Sequence, residues 1–206
     1  MAVVTVSRQY GAGGLRVGRA VAEALGFAFV DREIVEEAAR RLGVEPELAE
    51  ERDERAPAIV EEIGLALAAA SPEFGLSALP ELDDRALAGA TKRVLLSLAD
   101  AGDYVILGRG SQAALIGRDD ACHLALVGGL ADRVGRIMQW QNVDEREARA
   151  RCERIDAERA GYVKHFYGKD IRDPLLYDAV LNTSRLGLEA ASTLAVAIAR
   201  SKLGLA

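Results

Sequence analysis

The stretch AVVTVSRQYGAGGLRVGRAVAEAL, residues Ala2–Leu25, decides how the rest of the chain is read. Val3-Val4-Thr5-Val6 is a short β-branched run, the signature of a buried strand. It gives way at Ser7-Arg8-Gln9-Tyr10 to Gly11-Ala12-Gly13-Gly14, and apolar residues then recur at Leu15, Val17, Ala20, Val21, Ala24 and Leu25 with helical spacing. Strand, glycine loop, helix is the order that aims backbone N–H groups and a helix N-terminus at an anion. Glycine lets the backbone approach a phosphate and adopt positive φ. A tight strand-to-helix turn is the competing reading, and Arg8, Arg16 and Arg19 around the loop favour the phosphate site.

The loop departs from both common nucleotide patterns. When Gly13 takes the sixth position of GxxxxGK[ST], Arg8 stands at the first glycine, Gly14 at the lysine and Leu15 at the hydroxyl. The lysine that reaches the β/γ-phosphates and the hydroxyl that meets Mg²⁺ are therefore both absent from the pattern. Against GxGxxG, Gly11 and Gly13 fit, but Arg16 fills the third glycine, where close helix packing leaves no room for a side chain. Asp31 lies at about the spacing of a ribose-binding acid, which keeps a dinucleotide site open and disfavoured.

Working outward, 206 residues suit one domain with a helical insertion. A 50% hydrophobic content supplies a full core and excludes a disordered chain. The net charge of −6 excludes a global basic field for nucleic acid, so anionic ligands must be held by local arginines. Two cysteines, Cys122 and Cys152, and two histidines, His123 and His165, are too few for a zinc site or a disulfide framework. Met1-Ala2 leads straight into the first strand with no charged n-region, and no apolar run approaches the ~18–20 residues of a membrane span. The expectation is a soluble protein in a reducing, cytoplasmic setting.

Further strands are expected at Phe27–Val30, Tyr104–Leu107, Cys122–Val127 and Tyr177–Asn182. Asp31 follows the second, as a helix cap, a ligand contact or both. Helices are expected over Glu33–Leu42, Glu47–Arg55, Pro57–Ala70 and Asp83–Ala101, with a loop at Ser71–Leu82, so that about 43–101 forms a helical insertion. The central strand Tyr104–Leu107 ends in Gly108-Arg109-Gly110, where an arginine framed by glycines suits a phosphate or carboxylate. Leu130–Gln141, Asp144–Tyr167 and Leu186–Leu203 read as the remaining helices. The long one carries Arg146, Arg149, Arg151, Arg154 and Arg159, with Asp156 set to pair with Arg159 at i, i+3; a salt-bridged, solvated helix is the rival reading. Five strands alternating with helices predict an α/β fold, a parallel sheet covered on both faces.

With these blocks in view, the chain resembles the cytidylate kinase-like family, within the P-loop nucleoside monophosphate kinase fold. SRQYGAGGLRVG resembles the phosphate loop, LGFAFVDREIVEEAA the strand and helix after it, and VILGRG the central strand with its arginine turn. RVGRIM and RCERIDAERAGYVKHFYGKD resemble an arginine-rich lid at about 144–170 with its preceding helix, and DPLLYDAVLNTSRLGLEAA the last strand and helix. The resemblance implies a phosphotransferase using ATP and Mg²⁺ on CMP or a related monophosphate. Gly11, Ala12, Gly13, Gly14, Leu15 and Arg16 would hold the ATP phosphates. Asp31, Gly108 and Arg109 would face the acceptor, and Arg154 and Arg159, joined by Tyr162 and Lys164, would close over the transferring group. Arg16 or Arg8 would stand in for the missing lysine, which makes Arg16 a catalytic candidate with Arg154 and Arg159. Cytidylate kinases have an Asp after the acceptor arginine, where this chain has Gly110. A nucleotide-binding regulator and a kinase of a non-nucleotide acceptor are the alternatives. The expected partner is a small-molecule nucleotide, with no nucleic acid, no membrane, and a homodimer as the candidate assembly.

Overall fold

The computed structural model describes residues 1–31, 35 and 84–206. Apart from Val35, which is helical, the helices expected over Glu33–Leu42, Glu47–Arg55 and Pro57–Ala70, and the loop Ser71–Leu82, lie outside the described residues. The order is β1 (Val3–Arg8), α1 (Gly14–Leu25), β2 (Ala28–Val30), α2 (Asp84–Ala101), β3 (Tyr104–Leu107), α3 (Ser111–Ala114), β4 (Ala121–Val127), α4 (Leu130–Gln141), α5 (Glu145–Tyr167), a 3₁₀ turn Pro174–Leu176, β5 (Ala179–Asn182) and α6 (Thr183–Leu203).

The strands form one parallel sheet in the order β2-β3-β1-β4-β5. The first strand of the chain is thus the middle one, with Val3 opposite Tyr104 on one side and Ala121 on the other. Its side chains alternate between two apolar layers. Val4 and Val6 join Val105, Leu124 and Leu126 under α1 and α6, while Val3 joins Ile106, Leu95 and Leu98 beneath α2. Both faces are covered, as a parallel sheet requires.

Two boundaries differ from expectation with consequence. β1 runs on through Ser7 and Arg8, because β4 continues to pair with it as far as Arg8 opposite Leu126. Arg8 is therefore fixed at a strand end rather than in a loop. The last helix starts three residues early, at Thr183, where the Asn182 side chain accepts the Ser184 and Arg185 amides. Its first turn is then offset from the rest by Gly187, at φ 77 and ψ 163. Both cysteines are free and buried, Cys122 in β4 and Cys152 in α5, and burial pushes the Cys122 thiol up to about 12. Among the described residues no helix is long and apolar enough to cross a membrane.

Candidate active site

The C-terminal ends of β1, β3 and β4 open towards one edge, the edge at which open α/β sheets bind ligands. After β1 the chain turns through Gly11 at φ 78 and Gly13 at φ 84 into α1, whose N-terminus has no side-chain cap. That leaves the first amides of α1 available to an anion. The loop is held from outside: the Arg133 guanidinium donates to the Tyr10 carbonyl at 2.9 Å and that of Arg136 to the Gly11 carbonyl at 3.2 Å. A β-carbon on Gly11 would lie 2.8 Å from the Arg133 carbonyl oxygen, so the close approach of loop and α4 depends on glycine there.

A second anchor comes from the lid helix. Asp156 accepts the Tyr10 amide at 2.7 Å and the Arg133 guanidinium at 2.6 Å, while Arg133 is 6% exposed. Gln141 donates to the Tyr10 hydroxyl, and the Arg159 guanidinium lies 5.7 Å from the centre of the Tyr10 ring. The i, i+3 pairing expected between Asp156 and Arg159 is replaced by this arrangement. Asp156 serves Arg133 and Tyr10, and Arg159 donates to the Arg8 carbonyl at 2.9 Å. Tertiary packing offers both groups partners less exposed to water than a neighbour on the same helix.

Beside the loop lies a cavity of about 220 Å³ whose lining includes Arg8, Arg109 and Arg159 together with Gly108, Gln112 and Tyr162. Arg8 comes from the end of β1, Arg109 from the turn after β3, and Arg159 from α5. Gly108, Arg109 and Gly110 all have positive φ, at 87, 56 and 68. A β-carbon on Gly108 would lie 2.0 Å from Arg8 Nη1, so the guanidinium rests directly on the glycine. The Arg109 guanidinium lies over the Tyr162 ring, 5.1 Å from its centre, within cation–π range. Gln112 is 1% exposed; its amide donates to the Tyr177 hydroxyl at 3.4 Å and its Oε1 has no hydrogen-bond partner among the described residues.

The cavity adjoins a larger one, about 600 Å³, whose lining includes Gly11, Gly13, Gly14, Leu15, Arg16, Arg136 and Trp140. Arg8 and Arg159 line both. The structure thus brings Gly108, Arg109 and Arg159 together and sets Gly11, Gly13, Gly14, Leu15 and Arg16 beside them. Ala12 is fully buried beneath the loop. Arg154 is not brought in: its side chain is 61% exposed and paired with Glu158 at 2.6 Å. Lys164 is likewise exposed. Asp31 is half-buried at the end of β2, its carbonyl accepting the Val35 amide as a helix-starting residue does, and it lines neither cavity. Arg133, Arg136 and Gln112 acquire parts in the site that spacing alone did not assign, while Arg8, expected beside the loop, lines both cavities. For α5 a signal existed. Ala148, Cys152, Ile155, Arg159 and Val163 follow one helical stripe, and Arg154 falls off it.

For Mg²⁺, the chain offers no hydroxyl at Leu15, and among the described residues no three His, Cys, Asp or Glu side chains cluster. The described side chains do not fit a dedicated metal cage. The loop and arginines do fit an oligophosphate.

A parallel sheet in this strand order, with a glycine loop at the end of its middle strand and arginines converging beside it, has the architecture of the P-loop kinase fold. The chain belongs to the cytidylate kinase-like family, whose model matches residues 3–185. Among solved structures it is similar to an uncharacterized protein from Eubacterium ventriosum, with TM-score 0.72, 16% identity, and coverage of 98% of this chain and 99% of that one. It also matches shikimate kinase from Bacteroides thetaiotaomicron, with TM-score 0.51, 15% identity and 99% of each chain covered. At these identities the likeness is one of fold. No curated protein matches the sequence.

Proposed function

We propose that this chain transfers the terminal phosphoryl group of ATP to the phosphate of a nucleoside monophosphate, with CMP the first candidate, yielding ADP and CDP. The observation that carries the reading is the convergence of Arg8, Arg109 and Arg159, from three separate elements, on a cavity that shares two of them with the glycine-loop cavity. Donor and acceptor phosphates would meet between them.

In the transfer an acceptor phosphate oxygen attacks the terminal phosphorus in line, the P–O bond to ADP breaks, and charge spreads over the equatorial oxygens. Gly11, Gly13 and Gly14 offer backbone N–H groups to the donor, and Arg16 and Arg136 flank its outer side. Arg109 grips the acceptor phosphate with its planar fork. Arg159 and Arg8 sit where the charge develops, and Arg8 takes the part of the absent loop lysine. Gln112 Oε1 is a ready acceptor for a hydroxyl or amino group of the substrate. Asp31 is assigned to the nucleoside half of the acceptor, towards the β2 edge. Arg154, turned to Glu158, has no part in this arrangement. The cytoplasm suits such chemistry.

A second reading, a nucleotide-binding relative with little turnover, is favoured by Gly14 at the lysine position. Turnover with ATP and a panel of monophosphates, extended to small alcohols, separates the two and exposes a non-nucleotide acceptor.

Arg109→Lys keeps the charge and removes the fork. CMP affinity is expected to fall roughly tenfold or more, at ~1.4 kcal/mol per decade, with ATP affinity nearly unchanged, both read by calorimetry. Equal losses for the two ligands would assign Arg109 to the donor or to the fold.

A further inference from the structure

We infer that Trp140 is the platform on which the base of the donor nucleotide stacks. The inference rests on the reading of Gly11–Gly14 as the donor phosphate loop and extends it to the other end of the ligand.

One face of α4 lies along the loop. Arg133 and Arg136 donate to the carbonyls of Tyr10 and Gly11, and Trp140 follows Arg136 by one helical turn on the same face. Its neighbour Ile137 is 2% exposed, yet Trp140 is 70% exposed, so the indole is not there to fill the core. It lines the same cavity as Gly11, Gly13 and Gly14. Leu15 at the start of α1 is 45% exposed and lines that cavity with it, as does Leu188. The cavity thus combines backbone amides, four cations (Arg8, Arg16, Arg136 and Arg159) and an apolar, aromatic part. Its volume of about 600 Å³ falls within the ordinary range of small-molecule sites.

A nucleoside triphosphate has the same division. It carries a multiply charged chain that amides and guanidinium groups bind, and a flat aromatic base that leaves water most favourably against another π face. With the phosphates on the loop, the base has to lie further along the cavity. Stacking needs no particular hydrogen-bond pattern, so this platform accepts purine bases without choosing strongly between them.

The chain has one tryptophan, so its emission reports on this position alone. The intact protein is titrated with ATP and, as a base-free probe, with inorganic tripolyphosphate; emission is followed alongside calorimetry. ATP is expected to quench the emission, while tripolyphosphate binds without quenching it. Trp140→Ala should weaken ATP about tenfold and leave tripolyphosphate affinity unchanged; Trp140→Phe should restore most of the ATP affinity. Because the side chain is exposed, neither variant threatens the fold. Unchanged emission at saturating ATP, or equal weakening of both ligands by Trp140→Ala, overturns the inference while the phosphate-loop reading stands. Emission that follows protein concentration without nucleotide also overturns it, assigning Trp140 to contact between two copies of the chain. If neither ligand binds, the phosphate-loop reading falls and this inference with it.

Discussion

Asp156→Ala is expected to destabilise the protein by about 3 kcal/mol, at the lower end of the ~3–5 kcal/mol typical of breaking a buried ion pair from one side. The carboxylate holds two donors, the Tyr10 amide and the Arg133 guanidinium. Arg133 also donates to the carbonyls of Gly128 and Tyr10, but both acceptors are neutral. Removing Asp156 leaves a cation 6% exposed with no countercharge among those partners. The lower end applies because the Asp156 side chain is 24% exposed and water reaches part of the gap. For a chain of this length each kcal/mol moves Tm by about 2–4 °C, so calorimetry should find a drop of roughly 6–12 °C. Asp156→Asn keeps the shape and an acceptor and should fall between. A loss under about 1 kcal/mol for the alanine variant would mean that water replaces the carboxylate without penalty.

The second large effect belongs to Arg8. On the phosphotransfer reading, Arg8→Ala should lower kcat by about 10²–10³, the cost of losing one preorganised donor to transition-state charge. KM for ATP should change only a few-fold, because the loop amides remain. The argument is positional: Arg8 lines both cavities, and its guanidinium lies on Gly108 between them. Arg8→Lys keeps the charge and should recover part of the rate. If kcat of the folded alanine variant matches wild type, Arg8 only supports the turn after β3, and the missing lysine has no substitute there.

The sheet was legible because its strands are continuous β-branched or aliphatic runs, and the loop because glycines separate a period of two from one of 3.6. Arg109 was legible from its place after the most apolar strand. Spacing along a helix reports only neighbours on that helix and so points Asp156 to Arg159, whereas the partner that prevails, Arg133, comes from α4. Charge alone does not separate Arg154 from Arg159; only the apolar stripe of α5 tells which of them faces the sheet. Gln112 gave no signal, since a glutamine in a short helix is ordinary until its burial is known.

The strand order also constrains how this chain is made. VVTVSR precedes both of its partners in the sequence, pairing with the segments that begin at Tyr104 and Ala121. Until β3 and β4 have been synthesised its two edges lack these partners, and the turn that follows it lacks its clamps until residues 133 and 156 have been made. A nascent fragment ending before β3 therefore presents an apolar strand open on both sides, the kind of segment that pairs with other chains. The glycine loop takes its final shape only after the distant residues that clamp it have been made.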